Sequence, residues 1–254
     1  RQRQMCIRDR LQAAGVIPFA HGGQAWQDAT VFEAVAMGIG GNNYYKNCYV
    51  DLKETCLRSE TTVKVFDQMR KLQGFTDEGS PGRDWNVATG MVIEGKAGFQ
   101  IMGDWAKGEF TAAGKVPGVD YYCAPTPSNN GYLYNVDSFI FYKTSDPEKQ
   151  EGQKLLAKLM MGKNFQKVFN LYKGSIPARL DVSMDEFDKC AKTSNSDIKT
   201  AGASGGLVPS FAHGMAQGNT MKAALQDVIT EHFNSDMSSV DAANALADSV
   251  LDNM

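Results

Sequence analysis

Short apolar runs stand singly between amphipathic helical stretches, and this alternation constrains the fold of the chain more than any other feature. Four runs have the length and composition of strands: residues 16–20, 97–102, 118–123 and 136–142. Periodic segments with helix-start and helix-stop residues separate them. Because single strands that alternate with helices build a sheet flanked by helices, the sequence predicts an α/β fold.

The helix boundaries carry recognisable signals. Ser59 opens a helix that Gly74 ends, and Asp146 followed by Pro147 opens another that runs to Met161. Gly38 is expected to end a helix that starts at Asp28. Further helices are predicted at 84–94, 163–172, 221–233 and 240–251, and residues 128–131 are predicted to form a polar linker.

Composition excludes several classes of protein. Of 254 residues, 43% are apolar and 22% are charged, which is typical of a globular chain and not of a disordered or coiled-coil one. The formal net charge of −3 leaves no cationic surplus for a phosphate backbone, so nucleic acid is not an expected partner. Every apolar stretch is too short to span a membrane.

Residues 1–10 differ in character from the rest of the chain. Four of the 26 basic residues lie there, without hydrophobic periodicity behind them and without the apolar core of a secretory signal. The text from Met5 to Arg10 resembles translated sequencing-adapter sequence. We therefore interpret 1–10 as a non-native segment and leave Cys6 out of the fold reasoning. A genuine surface segment is the alternative.

The remaining cysteines indicate disulfides more than a metal. No Cys-x-x-Cys pair occurs and the three histidines lack metal-ligand spacing, so no metal and no cofactor are predicted. Four dispersed cysteines fit disulfides in an oxidising compartment, with buried free thiols as the alternative. They allow three pairings, of which we favour Cys123–Cys190 together with a local Cys48–Cys56 loop.

Motifs for catalysis are missing. The sequence has no Gly-x-Ser-x-Gly elbow and no phosphate-cradling glycine loop. Asp104 beside Trp105, or Asp137, could serve as one carboxylate of a glycosidase, but no second carboxylate stands in a marked loop. We predict no catalytic residues and keep a glycosidase as the alternative.

Aromatic and polar residues at the ends of elements suggest recognition of a hydroxylated ligand instead. An indole can cover the C–H face of a sugar ring, and charged groups make strong hydrogen bonds to its hydroxyls. The residues of this kind are Trp105, Asp137, Lys173 and His213. Each residue could have an ordinary structural role instead. Trp105 could cap the core, Asp137 could be a turn residue, and Lys173 could complement the helix dipole. His213 could be a loop histidine.

Several strings in combination resemble one family. They are Gly-Phe-Gln-Ile-Met-Gly-Asp-Trp at 98–105, Asn-Val-Asp-Ser at 135–138, Lys-Gly-Ser-Ile-Pro-Ala-Arg at 173–179, and His-Gly-Gly-Gln-Ala-Trp at 21–26. The chain is similar in these strings to the carbohydrate-binding proteins of ABC importers, of the glucose/mannose type found in Gram-negative periplasms. The likeness extends from about Leu11 to the C-terminus.

The resemblance implies a type II periplasmic-binding-protein fold, with two α/β lobes, a hinge and a sugar in the cleft between them. Trp105 matches the stacking tryptophan, and Asp137, Lys173 and His213 match polar ligands of the hydroxyls. Trp26 and Gln24 are further expected ligands. The implied ligand is an aldohexose such as glucose or mannose, and the implied partner is an inner-membrane permease that receives it from a monomer.

The resemblance also implies a truncation. Residues 11–134 would belong to the second lobe, 135–180 to a returning segment of the first lobe, and 181–254 to helices packed on the second lobe. The signal peptide of a periplasmic protein and most of the first lobe would be absent. We therefore expect exposed apolar side chains on the helices at 155–169, and weaker sugar binding by this chain than by its full-length parent. A polyol or another non-sugar ligand is the remaining alternative.

Overall fold

A computed structural model describes residues 2–128 and 131–254, with side chains from residue 7 onward. Part of the predicted polar linker, Asn129 and Asn130, lies outside the described residues, and so does the side chain of Cys6. The ordered elements are helical for the most part, and the strands are short. This arrangement agrees with the predicted α/β class.

The helices are α1 (Gln2–Ala13), α2 (Ala25–Tyr45), α3 (Glu54–Leu57), α4 (Glu60–Gln73), α5 (Trp85–Ile93), α6 (Lys107–Ala112), α7 (Pro147–Met160), α8 (Lys163–Lys173), α9 (Lys189–Ala203), α10 (Asn219–Asn234) and α11 (Ser239–Asp252). The strands are β1 (Ile17–Phe19), β2 (Ala97–Phe99), β3 (Tyr132–Tyr134) and β4 (Leu207–Pro209). A π-helical turn, Lys46–Val50, follows α2, and a 3-10 turn, Asp104–Ala106, precedes α6.

The chain divides into two compact units. The larger unit contains the chain up to Gly103 together with Pro125–Asn135 and Asp197–Met254. The smaller unit contains Asp104–Ala124 and Val136–Ser196. These bounds differ from the predicted division, which kept 104–124 with the preceding residues and 181–196 with the C-terminal helices. The difference arises because α6 packs on α8 and because a disulfide joins Cys123 to Cys190, so both segments are held within the smaller unit.

Two parallel strand pairs and a helical core build the larger unit. Strand β1 pairs with β2, with Ile17 opposite Ala97, and β3 pairs with β4, with Tyr132 opposite Leu207. Helix α2 packs against α4 and α10, and α11 covers α10 and α4. The largest buried side chains of this core are aromatic: Phe32, Tyr45, Tyr49, Phe66 and Phe211.

The predicted capping signals are confirmed. The Ser59 side chain accepts a hydrogen bond from the Thr62 amide at the start of α4. Asp146 accepts from the amides of Glu148 and Lys149 at the start of α7, with Pro147 in the first turn. These local signals work because a helix leaves its first amides without intrahelical partners, and a short polar side chain satisfies them.

The predicted helix end at Gly38 is wrong. Gly38 does not end α2, which continues to Tyr45 and bends at Gly41, where φ is 72° and ψ is −174°. Gly38 instead allows a close approach, since a Cβ there would lie 3.3 Å from the Pro127 carbonyl oxygen. Tertiary packing therefore outweighs the weak helix propensity of glycine at this position.

Two predicted strands are also absent from the part of the chain that the structure describes. Residues 118–123 form a turn region with an isolated bridge between Pro117 and Tyr121. Residues 136–142 form neither a helix nor a strand, and their large apolar side chains are exposed. The strand falls at Tyr132–Tyr134 instead, because this is the segment that finds a parallel partner, β4.

The smaller unit exposes the apolar side chains that were expected to be uncovered. Leu155 and Leu159 on α7 are each 61% exposed, and Val168 and Phe169 on α8 also reach solvent. No residue of α7 is buried. The prediction of an exposed apolar surface on these helices is therefore confirmed.

The buried His232 should make the larger unit sensitive to acid. Neither ring nitrogen has a hydrogen-bond partner among the described residues, and burial, together with the nearby Arg70 guanidinium, lowers its pKa to about 4. The folded state thus favours the neutral ring, whereas the unfolded state takes up a proton on His232 below about pH 6.5. The folded protein therefore keeps its full stability above pH 6.5 and loses stability as the pH falls towards 4. We expect the free energy of unfolding to fall by up to about 3 kcal/mol over this interval because of His232.

Urea unfolding of the native protein and of His232→Leu at pH 7 and pH 4 measures this contribution. Between pH 7 and pH 4 the native protein should lose up to about 3 kcal/mol more stability than His232→Leu, because leucine does not titrate. An equal loss of stability in both proteins would show that His232 plays no part.

Candidate functional site

Backbone packing at the end of α8 positions one group of predicted site residues in the smaller unit. Gly174 ends the helix with φ 89°, in the left-handed region that favours glycine. A Cβ at this position would lie 2.6 Å from the Gly108 backbone nitrogen and 3.0 Å from the Asp104 carbonyl oxygen. The turn that carries Trp105 and the helix end that carries Lys173 are therefore in direct backbone contact.

Lys173 and Asp137 meet as an ion pair. The lysine ammonium group contacts the Asp137 carboxylate and lies 5.9 Å from the centre of the Phe169 ring. Asp137 is mostly exposed, whereas Lys173 is half-buried. The structure thus brings together two residues that are 36 positions apart in sequence and that were both predicted to bind a ligand.

Asp104 joins this group, although it was not predicted as a binding residue. Burial raises the pKa of its carboxyl, opposed by a hydrogen bond from Ser175 and by the positive charges of Lys107 and Lys173. Lys107 itself is buried and makes an ion pair of 2.7 Å with Asp188. The side chain of Trp105, adjacent to Asp104, is partly buried. An indole and several charged groups therefore lie within one short stretch of the smaller unit.

The larger unit carries a second group, formed by Trp26, Gln24 and His213. The Trp26 and His213 rings are 5.9 Å apart and inclined by 60°. Trp26 Nε1 donates a hydrogen bond of 2.8 Å to Gln24 Oε1, and Gln24 Nε2 donates one of 2.6 Å to Asp84. The indole orientation is consequently fixed by a polar chain that ends on a carboxylate.

Thr30 determines how His213 presents its ring. The threonine hydroxyl donates its single proton to the Trp26 carbonyl at 2.8 Å, so it can only accept from His213 Nε2, which lies 3.2 Å away. Nε2 therefore carries a proton and donates it to Thr30, which orients the ring. Thr30 was not identified from the sequence, because its partner lies 183 residues further along the chain.

Both favoured cysteine pairings are present as disulfides, Cys48–Cys56 and Cys123–Cys190. Within the residues that the structure describes, no group of His, Cys, Asp and Glu could hold a metal ion. No helix in the same residues is long and apolar enough to cross a bilayer.

Comparison with known proteins identifies the class. Residues 8–160 match the family described as bacterial extracellular solute-binding protein, and the chain belongs to this family. A solved chitin oligosaccharide binding protein superposes with a TM-score of 0.73 at 16% identity, covering 96% of this chain and 62% of that one. The likeness confirms the type II α/β fold that the resemblance implied.

Relatives in two bacteria match more closely in sequence. A protein of Brucella suis named "Probable sugar-binding periplasmic protein" is 45% identical over 247 residues, which are 97% of this chain and 58% of the relative. A protein of the same name in Rhizobium meliloti is 42% identical over 247 residues, which are 97% of this chain and 59% of the relative. The chain therefore spans less than two thirds of the length of these relatives.

The close contact at Gly174 can be tested with a matched pair of glycines. Gly114→Ala should cost about 1 kcal/mol, because Gly114 has φ 69° but open space around it. Gly174→Ala carries the same backbone cost and also forces a methyl group against the Gly108 backbone, so we expect a further loss of about 1–3 kcal/mol. Thermal unfolding of both variants measures the difference. Equal losses would show that the turn and the helix end are not tightly packed.

Proposed function

We propose that this chain is the sugar-binding component of an ABC importer. In this proposal it acts in the periplasm, captures an aldohexose of the glucose or mannose kind and delivers it to a membrane permease. The names of the relatives support a sugar as ligand and the periplasm as compartment. The family is a class of solute-binding proteins, which favours binding over catalysis.

The observation that carries the proposal is the combination of an indole and ordered polar groups, found once in each unit. In the smaller unit, Trp105 is adjacent to Asp104, and the positive charge of Lys173 lowers the pKa of the Asp104 carboxyl against the effect of burial. Lys173 also forms an ion pair with Asp137. In the larger unit, Trp26 lies beside His213. We propose each group, taken within its own unit, as a set of sugar-binding residues.

Each group offers what a monosaccharide requires. The face of a pyranose ring presents C–H bonds that pack on an aromatic ring, and its edge presents hydroxyls that donate and accept. A carboxylate accepts from hydroxyls and an ammonium donates to them, in charge-assisted bonds that are stronger than neutral ones. Because Lys173 and Asp137 are already paired, their side chains are held in place before a ligand arrives.

The glycosidase alternative is less well supported. It needs two carboxylates free to act as acid and base across a glycosidic bond. Burial raises the pKa of Asp104, which is suitable for an acid, but Asp137 is held by Lys173. A polyol ligand would use the same hydroxyl chemistry without a ring face for the indole.

Isothermal titration with glucose, mannose and sorbitol tests the proposal, supported by ligand-observed NMR for weak binding. We expect the two hexoses to bind better than sorbitol. Trp105→Ala should weaken hexose binding about tenfold or more, because it removes the aromatic face. Lys173→Met should weaken binding by a similar factor through loss of a charged donor.

Trp85→Ala is the matched control, since Trp85 opens α5 and belongs to neither group. It should bind hexoses like the native protein. Absence of any hexose signal in both methods would contradict the proposal. Release of nitrophenol from a nitrophenyl glycoside, abolished by Asp137→Asn, would support the glycosidase instead.

A further inference from the structure

A buried carboxyl group lies under the loop that carries His213. Glu33, in the middle of α2, is 1% exposed, and no cation among the described residues forms an ion pair with it. Its partners are hydroxyl and amide groups. Ser210 Oγ donates to the carboxylate at 2.7 and 2.9 Å, Tyr45 Oη donates at 3.0 Å, and the Ala212 amide donates at 3.3 Å.

The Ser210 hydroxyl connects this carboxyl to His213. Its single proton is directed to Glu33, so its lone pairs are available, and it accepts a hydrogen bond of 3.1 Å from the His213 amide. Ser210 is itself 1% exposed. Two hydrogen bonds thus join the side chain of Glu33 to the backbone of His213, with no solvent between them.

We infer that Glu33, acting through Ser210, is the positioning residue that holds His213 in place for sugar binding. The inference rests on the proposed function, in which His213 is a ligand of the sugar. Glu33 has no contact with the ligand in this scheme. It determines where the segment after β4 lies, and therefore where the His213 ring lies.

The same network can accommodate a proton. Tyr45 Oη lies 3.0 Å from Glu33 and 3.2 Å from the Pro209 carbonyl oxygen, and it accepts from the Phe211 amide at 3.1 Å. When Glu33 is ionised, Tyr45 donates to it. When Glu33 is protonated, it can donate to Tyr45 Oη while Tyr45 turns its proton to Pro209. Each protonation state therefore has a complete set of hydrogen bonds.

The surroundings of Glu33 identify the group that titrates. Burial raises the pKa of Glu33 to about 7, against the lowering effect of its hydrogen bonds from Ser210, Ala212, Tyr45 and Phe211. The titratable group in contact with it is Tyr45 on the same helix, and Tyr49 packs on Tyr45. Burial raises the pKa of both tyrosines well above the usual range. From the segment after β4, the titratable group is His213, on the far side of Ser210. Glu33 is therefore the group that we expect to titrate near pH 7 in this network.

Amide NMR tests this assignment. In a His213→Gln background, residue 213 has no imidazole, so it cannot contribute to the titration. We expect the amide signals of Ala212 and of residue 213 both to shift with a midpoint near pH 7, and both shifts to vanish on adding Glu33→Gln. Adding Ser210→Ala instead should keep the Ala212 shift and abolish the shift at 213. A shift at 213 that survives Ser210→Ala, or that is missing from the start, would overturn the inference.

Hexose titration supplies the functional measurement, in the protein that retains His213. Glu33→Gln and Ser210→Ala should each weaken hexose binding about fivefold at pH 8. Glu33→Gln should also remove the change in hexose affinity near pH 7 that comes from titration of Glu33. Thr62→Val is the control: it removes buried hydrogen bonds to Tyr44 and Cys56 but touches nothing in 209–213.

Equal weakening in all three variants would mean that general destabilisation is responsible and would overturn the inference. Native-like binding in Glu33→Gln and Ser210→Ala would also overturn it. If no hexose binds to the native protein, the proposed function fails, and the amide measurement then decides the coupling between Glu33 and residue 213 alone.

Discussion

Burial of helix α2 is the constraint on which the larger unit depends. Between Gln27 and Met37 every residue of this helix is buried, and α4 and α10 pack against it. A helix buried on all sides cannot leave a polar group unpaired without a large cost in free energy. The Asp28 carboxylate therefore makes hydrogen bonds to the His21 ring at 2.7 Å and to the Thr230 hydroxyl at 2.9 Å. Glu33 likewise accepts hydrogen bonds from hydroxyl and amide groups. These polar contacts, together with the apolar packing, hold α2 in place.

The predicted ligand residues depend on this helix in unequal ways. Trp26 lies in its first turn, and Thr30 on the next turn orients His213. The residues of the smaller unit have a different support, a backbone contact between two glycines and an ion pair. One group is thus held by buried side-chain hydrogen bonds and the other by close approach of main chains.

How much could be predicted from the sequence follows from the range of the interactions. Ser59 and Asp146 act within one helical turn, so their helices were predicted correctly. Residues 136–142 have the composition of a strand, but a strand requires a partner, and the composition of one segment contains no information on its partner. The prediction that Gly38 ends α2 failed for the same reason, because the environment of Gly38 depends on Pro127, which is distant in sequence. Trp105, Asp137 and Lys173 were named from their places at the ends of elements and from local strings. Glu33 and Thr30 act instead on residues about 180 positions away.

The two disulfides differ in how easily a reductant can reach them. Cys48 is wholly buried, whereas Cys123 is exposed and bridges 67 positions of a unit with few buried side chains. Closing a loop of that length contributes about 4 kcal/mol in a chain-entropy account. A thiol reagent should therefore open the smaller unit well before it reaches the core of the larger one. Expression in a reducing cytosol would leave both bridges unformed, and the smaller unit would be destabilised most, because its bridge closes the longer loop and few of its side chains are buried.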